Sequence, residues 1–384
     1  MSDFLPKPAI QGIFRMRRTI TVILITLNVD AAVMADESLY SRTFVGSSVP
    51  TGNESIEESA ESTEEQQPRI PAFGVPTLGG MQFWGDVEFL QGWKIQQNVL
   101  SRHYRLLSPT AARFASGTLE QCQSMLRAIA KRDQLPEHRN KAVIILHGIG
   151  RSSKSFSTMH SALSSAGYLV VPFEYPSTRV SLEQSSDYLQ SVIASLKGSE
   201  SIDFVVHSMG GLVVRMWLTR HKHDPRIRRL VMLGTPNKGA EMADILRSNA
   251  FYSLVYGPAG QQLTTGEHGV SNILPVPPFE FGVIAGGKGD DRGFNPLIKG
   301  DDDGTVAVAS ARLEGAADYL RVPRLHSFLM NDAEVIAATK CFLEHGRFGQ
   351  DRKAEPVIHN DSRTEPPESS VNQVCNTPKK DTAH

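Results

Sequence analysis

The sequence predicts an α/β protein built on one doubly wound, mostly parallel sheet with helices on both faces. Three observations lead there. Short, continuously apolar runs recur along the chain and are separated by stretches with helical spacing, the pattern of strands buried on both faces. One of these runs, Ile202 to His207, meets the apolar helical run Leu212 to Leu218 with only Ser208, Met209, Gly210 and Gly211 between. The composition is that of an ordinary folded protein, 40% hydrophobic with a net charge of −1 over 384 residues, and it carries no basic excess to suggest nucleic acid. No sustained heptad or internal repeat is visible. Three cysteines, Cys122, Cys341 and Cys375, are too few for a metal cluster or a disulfide framework, leaving one bridge or free thiols.

In order, the chain begins with Arg15-Met16-Arg17-Arg18, an apolar run from Thr19 to Leu27, and small residues up to Ala35. Basic, apolar, small: residues 1–35 read as a signal peptide, which places the mature protein outside the cytoplasm, secreted or periplasmic, or anchored if the leader stays uncut. Residues 36–75 turn to Ser, Glu, Thr and Gln, with Glu54, Glu57, Glu58, Glu61, Glu64 and Glu65 close together. Such a segment has too few apolar side chains to order itself and reads as an acidic linker. Residues 349–384 have the same character and read as a disordered tail.

Between them, residues 76–348 carry the alternation of a doubly wound sheet and form the expected folded domain. Phe83 to Leu107 carries aromatics and an amphipathic pattern, and Leu119 to Lys131 a helix with Cys122, Leu126 and Ile129 on its apolar side; both are expected to cover the first part of the sheet. Strands follow at Ala142 to Leu146 and Tyr168 to Val171, with helices at Phe156 to Ala166 and Leu182 to Leu196. Further strands are Ile202 to His207, Leu230 to Leu233, Phe281 to Ala285 and Tyr319 to Val322. An insertion rich in apolar and aromatic residues, from Met242 to Leu263, separates the fourth strand from the fifth and is expected to form a cap or lid. Ligands bind at the rim formed by the carboxyl ends of such strands, so the residues there are the ones to inspect.

The turn at Ser208 is the most informative. A strand-to-helix turn this tight strains its central residue, lifts the side chain clear of the sheet, and needs small residues where helix and strand nearly touch. The N–H of Met209 opens the helix, where unpaired donors and the helix dipole favour an oxyanion. Val206-His207-Ser208-Met209-Gly210 resembles the nucleophile elbow of α/β-hydrolases, and Gly211 extends it in the manner of bacterial lipases and esterases. One position departs from the Gly-x-Ser-x-Gly pattern: Val206 stands where a small residue is usual, which predicts either a slightly displaced helix or an altered site.

The resemblance covers residues 76–348 and implies the remaining roles. Leu146-His147-Gly148-Ile149-Gly150 is similar to the His-Gly segment of lipases, which implies that the backbone N–H groups of Ile149 and Met209 form the oxyanion hole. His147 is read as structural. Gly300-Asp301-Asp302-Asp303-Gly304-Thr305-Val306 resembles the lipase Asp-Gly-x-Val segment, which carries the triad acid onto Asp303, with Asp302 the alternative because three successive carboxylates leave the register open. This cluster could instead bind calcium, although it lacks the spacing of an EF-hand loop. His326, in a short loop after the last strand, is the assigned base; His345 ends a helical run and His359 and His384 lie in the polar tail. Gly234-Thr235-Pro236-Asn237-Lys238-Gly239 resembles a loop that lipases place beside the active site.

The expected activity is hydrolysis of a carboxylic ester with an apolar acyl chain through an acyl-enzyme, with no cofactor and no metal. Partners are a small-molecule or lipid ester, with transient contact to a lipid surface, and no nucleic acid. The same residues would serve an acyltransferase, thioesterase or amidase, and a non-catalytic binding module could retain the fold. Oligomeric state is not encoded in these motifs.

Overall fold

The structure is a computed structural model and describes residues 80–136, 141–240, 258–260, 262 and 273–358. The chain divides into two units, Met1–Gln66 and Gln67–His384, and every described residue belongs to the second. The leader, the acidic linker, most of the apolar insertion and the end of the tail lie outside the described residues.

The central sheet has six strands, β5 (Ala142–Leu146), β6 (Leu169–Phe173), β7 (Ile202–His207), β8 (Ile227–Leu233), β9 (Glu280–Gly286) and β10 (Asp318–Val322). Their order is β10-β9-β8-β7-β5-β6 and every pairing is parallel. Residues of β5 and β7 are buried throughout, which is why they read as unbroken apolar runs. Alternate side chains serve opposite faces. Phe204 and Val206 join a core with helices α3 (Leu182–Ser195) and α4 (Met209–Arg220). Val205 joins the other core, with α2 (Ser157–Ser165) and α6 (Ala333–His345). Ser181 opens α3 with a capping box, its side chain accepting from Gln184 N, and Asp332 caps α6 by accepting from Glu334 N and Val335 N. Gly346, at φ +74°, closes α6 in the left-handed conformation.

The pairing register aligns the strand ends: Leu146 faces Val206, His207 faces Leu233, Leu233 faces Ile284, and Gly286 faces Val322. The residues immediately after these strands therefore come out along one rim.

The N-terminal part corrects an expectation. Expected to cover the first part of the central sheet, residues 84–117 instead form an antiparallel sheet of their own, four strands in sequence order, β1 (Trp84–Leu90), β2 (Trp93–Asn98), β3 (Tyr104–Leu107) and β4 (Arg113–Gly117). The β1–β2 connection is two residues, Gln91 and Gly92, with φ of +48° and +86°. Positive φ at both positions matches the twist of a tight hairpin and forces antiparallel return. One face of this sheet packs on α1 (Leu119–Arg132), with Trp93, Ile95, Leu106, Cys122, Leu126 and Ile129 enclosed between them. Strand β1 lies against α3, where Gly85 abuts the Tyr188 ring and Phe89 N donates to Ser195 Oγ at 3.1 Å.

The tail boundary also moves. Past Phe348, Arg352 pairs with Asp318 at 2.6 Å, Glu355 N donates to the same carboxylate, and Val357 N donates to Ala316 O. A buried carboxylate needs such donors, and Asp318 takes them from the polar tail. Cys122 is a free, buried thiol and Cys341 is disulfide-bonded.

Trp217 of α4 is fully buried beside Phe204 and donates its ring N–H to Gln190 at 2.7 Å, tying α4 to α3 and both to the sheet. Trp217→Ala is expected to lower unfolding stability by about 3–5 kcal/mol, read as a lower urea midpoint, through the cavity left behind.

Candidate active site

Ser208 follows β7 and precedes α4, with φ +54° and ψ −125°, a backbone conformation that a residue with a side chain rarely adopts. The conformation is held from two sides. Ser208 N donates to Leu233 O at 2.9 Å, and α4 presses against the sheet at its two glycines. A Cβ at Gly210 would stand 2.8 Å from Leu146 O, and one at Gly211 would collide with the Thr235 side chain. Val206, the departure from the usual pattern, is absorbed without loss of the turn, since its side chain packs in the core shared with Leu212 and Val213. A six-stranded parallel sheet covered on both faces, with a strained serine turn at its centre, settles the architecture.

The chain has the α/β-hydrolase fold.

Asp303 and His326 meet on the same rim. His326 Nδ1 and Asp303 Oδ2 are 2.7 Å apart, and His326 N donates to Asp303 O at 2.8 Å, so both backbone and side chain fix the pair. A carboxylate oxygen accepts here, so Nδ1 is the donor and Nε2 is the nitrogen turned away from the pair. Asp303 Oδ1 is occupied by Thr305 N at 3.0 Å and Val306 N at 2.7 Å, which orients the carboxylate. Gly234 makes room for the pair: at φ +56°, a Cβ there would lie 3.0 Å from His326 Nδ1 and 3.2 Å from Asp303 Oδ2. Since Ser208 N bonds to the residue before Gly234, the serine turn and the Asp–His pair share that backbone as a wall.

The three successive aspartates diverge. Asp301 accepts from Lys288 N and Gly289 N, Asp302 from Asn295 N and Gly304 N, and only Asp303 faces His326. Each carboxylate accepts from backbone N–H groups of this loop, and Asp301 also pairs with Arg321 at 3.5 Å. Among the described residues, no group of three or more His, Cys, Asp or Glu side chains is placed to hold a metal ion.

The segment after β5 lies against the serine. A Cβ at Gly148 would be 3.0 Å from Ser208 Cβ, so the Gly148 backbone touches the serine side chain. Among the described residues the N–H of Ile149 has no acceptor, and that of Met209, first in α4, has none within its helix. His147 is structural: its Nδ1 donates to Gly148 O at 2.8 Å, its ring stacks on Tyr175, and Tyr175 OH donates to His147 O at 2.5 Å. His207 points away from Ser208, and its Nε2 donates to His326 O at 3.0 Å. Burial, reinforced by the neighbouring His326 and Arg151, holds the His207 pKa well below the ordinary histidine value, so it is a neutral prop under the His326 loop. His345 sits at the end of α6.

Several contributors carry no sequence signal. Arg151 Nη2 donates to Ser327 Oγ at 2.7 Å and links the segment after β5 to the His326 loop. Arg215 of α4, its pKa pushed down to about 10 by burial, donates to Leu274 O, Pro275 O and Asn237 O, fastening the return from the insertion to the loop after β8. These pairs lie 22 to 176 residues apart in sequence, beyond any local pattern.

Comparison with known proteins adds the following. A family described as a domain of unknown function, DUF7379, matches residues 104–274, which include Ile149, Ser208 and Met209 but neither Asp303 nor His326. No curated protein matches the chain. Among solved structures, the mature form of a Bacillus licheniformis lipase is 19% identical with a TM-score of 0.43, over 55% of this chain and 94% of its own. The product of the Listeria innocua gene lin2722 is 18% identical with a TM-score of 0.40, over 57% of this chain and 97% of its own. A Legionella pneumophila phospholipase is 20% identical with a TM-score of 0.37, over 45% of this chain and 45% of its own, so the chain spans less than half that phospholipase's length.

Burial outweighs the backbone donors at Asp302 and pushes its carboxyl pKa up to about 6. Its unfolded value is about 4, so the folded state binds this proton more tightly. The associated stability is complete below about pH 4 and is lost as pH rises through about 6. In Asp302→Asn, the difference in urea midpoint between pH 4 and pH 7 should shrink relative to the parent; an unchanged difference assigns the dependence elsewhere.

Proposed function

We propose that the protein is a serine carboxylic-ester hydrolase. The observation that carries the reading is the 2.7 Å Asp303–His326 pair set on the same rim as a serine strained at φ +54°. Ser208 is the nucleophile, His326 the general base and Asp303 the residue that fixes the histidine tautomer and stabilises the imidazolium.

In the reaction, Ser208 Oγ attacks the ester carbonyl while His326 Nε2 takes its proton. The N–H groups of Ile149 and Met209 receive the negative charge that develops on the carbonyl oxygen. Collapse of the tetrahedral species breaks the C–O bond, and His326 returns the proton to the departing alcohol. Water, deprotonated by the same nitrogen, then attacks the acyl-serine; the acyl C–Oγ bond breaks, the acid leaves, and His326 returns the proton to Ser208 Oγ. A backbone that holds its donors before substrate arrives stabilises the charge without reorganisation, which is the main source of acceleration in such sites.

An apolar acyl chain would find exposed apolar side chains near His326. Leu325 and Phe328 are exposed, and with Phe294 and Pro323 they form the apolar part of a shallow cleft of about 420 Å³ whose remaining lining is Arg324, Asn331 and Asp332.

The test is hydrolysis of p-nitrophenyl esters with acyl chains from two to sixteen carbons. Ser208→Ala and His326→Ala should each lower kcat by roughly 10⁴- to 10⁶-fold in a folded protein, because the triad acts as a unit. Asp303→Asn should cost on the order of 10⁴-fold, and more than Asp302→Asn, since only Asp303 holds the histidine tautomer. Turnover retained in Ser208→Ala would sink the reading.

A further inference from the structure

We propose that Gln82, in the short turn (Met81–Phe83) leading into the antiparallel sheet, is a positioning residue for the oxyanion segment. The N-terminal sheet region is thereby part of the catalytic apparatus. This inference rests on the serine-hydrolase reading above.

The segment that follows β5, residues 147–151, leaves the sheet and must find its hydrogen bonds elsewhere. Gly150 N donates to Ser177 Oγ at 3.0 Å. Ser177 Oγ in turn donates to Gln82 Oε1 at 3.1 Å, an oxygen that also accepts from Thr178 N at 3.2 Å and Thr178 Oγ1 at 3.1 Å. The other end of the same amide, Gln82 Nε2, donates to Arg151 O at 2.9 Å. The amide thus closes a ring of hydrogen bonds that grips the segment on the carboxyl side of Ile149. On the other side, Gly148 is packed against Ser208 Cβ. The N–H of Ile149 lies between these two fixed points.

The side chain type is specific to the task. A primary amide offers an acceptor for the 177–178 turn and a donor for the Arg151 carbonyl within one planar group. A carboxylate could keep the first role but not the second. Gln82 is itself anchored by the accessory sheet, because Phe83 O accepts from Val99 N, the residue after β2, and the Arg179 guanidinium sits 5.1 Å from the Phe83 ring. Asp86 extends the attachment: its N donates to Glu174 O at 2.9 Å and its Oδ2 accepts from Glu174 N at 2.9 Å, just beyond β6. Oxyanion donors act only when held within a few tenths of an ångström of their target, so loosening this ring is felt in the transition state and not in substrate binding.

The full chain carrying Gln82→Ala, Gln82→Met or Gln82→Glu is assayed on the best p-nitrophenyl ester. In all three, kcat should fall by about 10- to 100-fold with KM within about 3-fold, the signature of an interaction made in the transition state. The inhibition constant of an alkyl boronic acid, which forms a tetrahedral adduct on serine, should rise by the same factor as kcat/KM falls. A change confined to stability would leave that constant unmoved in the folded fraction. Thermal melts identify the folded variants; if Gln82→Ala does not fold, the near-isosteric Gln82→Met and Gln82→Glu carry the test. A folded Gln82→Met with kcat within about 2-fold of the parent overturns the inference while leaving the hydrolase reading intact. A parent protein that neither turns over esters nor reacts with a fluorophosphonate at Ser208 overturns both.

Discussion

The site depends on one strained residue. Holding Ser208 at φ +54°, ψ −125° costs of order 1–3 kcal/mol, and nothing local compensates for it. The compensation comes from packing. Helix α4 is drawn so close to β5 that Gly210 touches the Leu146 carbonyl, while nine consecutive residues from Met209 to Trp217 are buried. The Leu233 carbonyl then receives the Ser208 N–H, so the neighbouring strand fixes the turn as firmly as its own helix does. This is the sense in which the large core and the site are one object: the sheet must be wide and well packed for its centre to carry the strain.

Around that turn, backbone groups do most of the positioning. Asp303 is aimed by two amides of its own loop, His326 is tethered by its N–H to Asp303 O, and its carbonyl is held by the neutral His207. The glycines at 234 and 286 allow these loops to approach the strand ends; a Cβ at Gly286 would lie 2.7 Å from Asp303 Cβ. Backbone donors and acceptors carry no net charge and have few rotamers to order, so the arrangement is rigid before any substrate arrives.

The accessory sheet changes how the N-terminal region is understood. Its own core, around Trp93, Ile95 and Leu126, would serve a structural role alone, but Gln82 and Asp86 reach from it to the Arg151 carbonyl and to Glu174 just beyond β6. These hydrogen bonds tie the added sheet to the segments that follow β5 and β6.

The central strands, most helices and the serine turn are legible in the chain alone, because each depends on local chemistry. Continuous apolar runs mark strands covered on both faces, and glycines beside a serine mark a turn that only small residues permit. It also brought Asp303 and His326 forward through resemblance, but left Asp302 open, since adjacent carboxylates are chemically identical until a backbone turns them apart. Tertiary structure alone decided that Asp302 binds Asn295 and Gly304 while Asp303 meets His326. It alone separated residues 84–117 into their own sheet, although the Gln91-Gly92 pair between two alternating runs was a usable hairpin signal. And it alone joined Gln82 to Arg151, 69 residues away, and Arg151 to Ser327, 176 residues away. Hydrogen bonds between surface loops leave no periodicity behind; they exist only once the register of the sheet has brought the strand ends to a common rim.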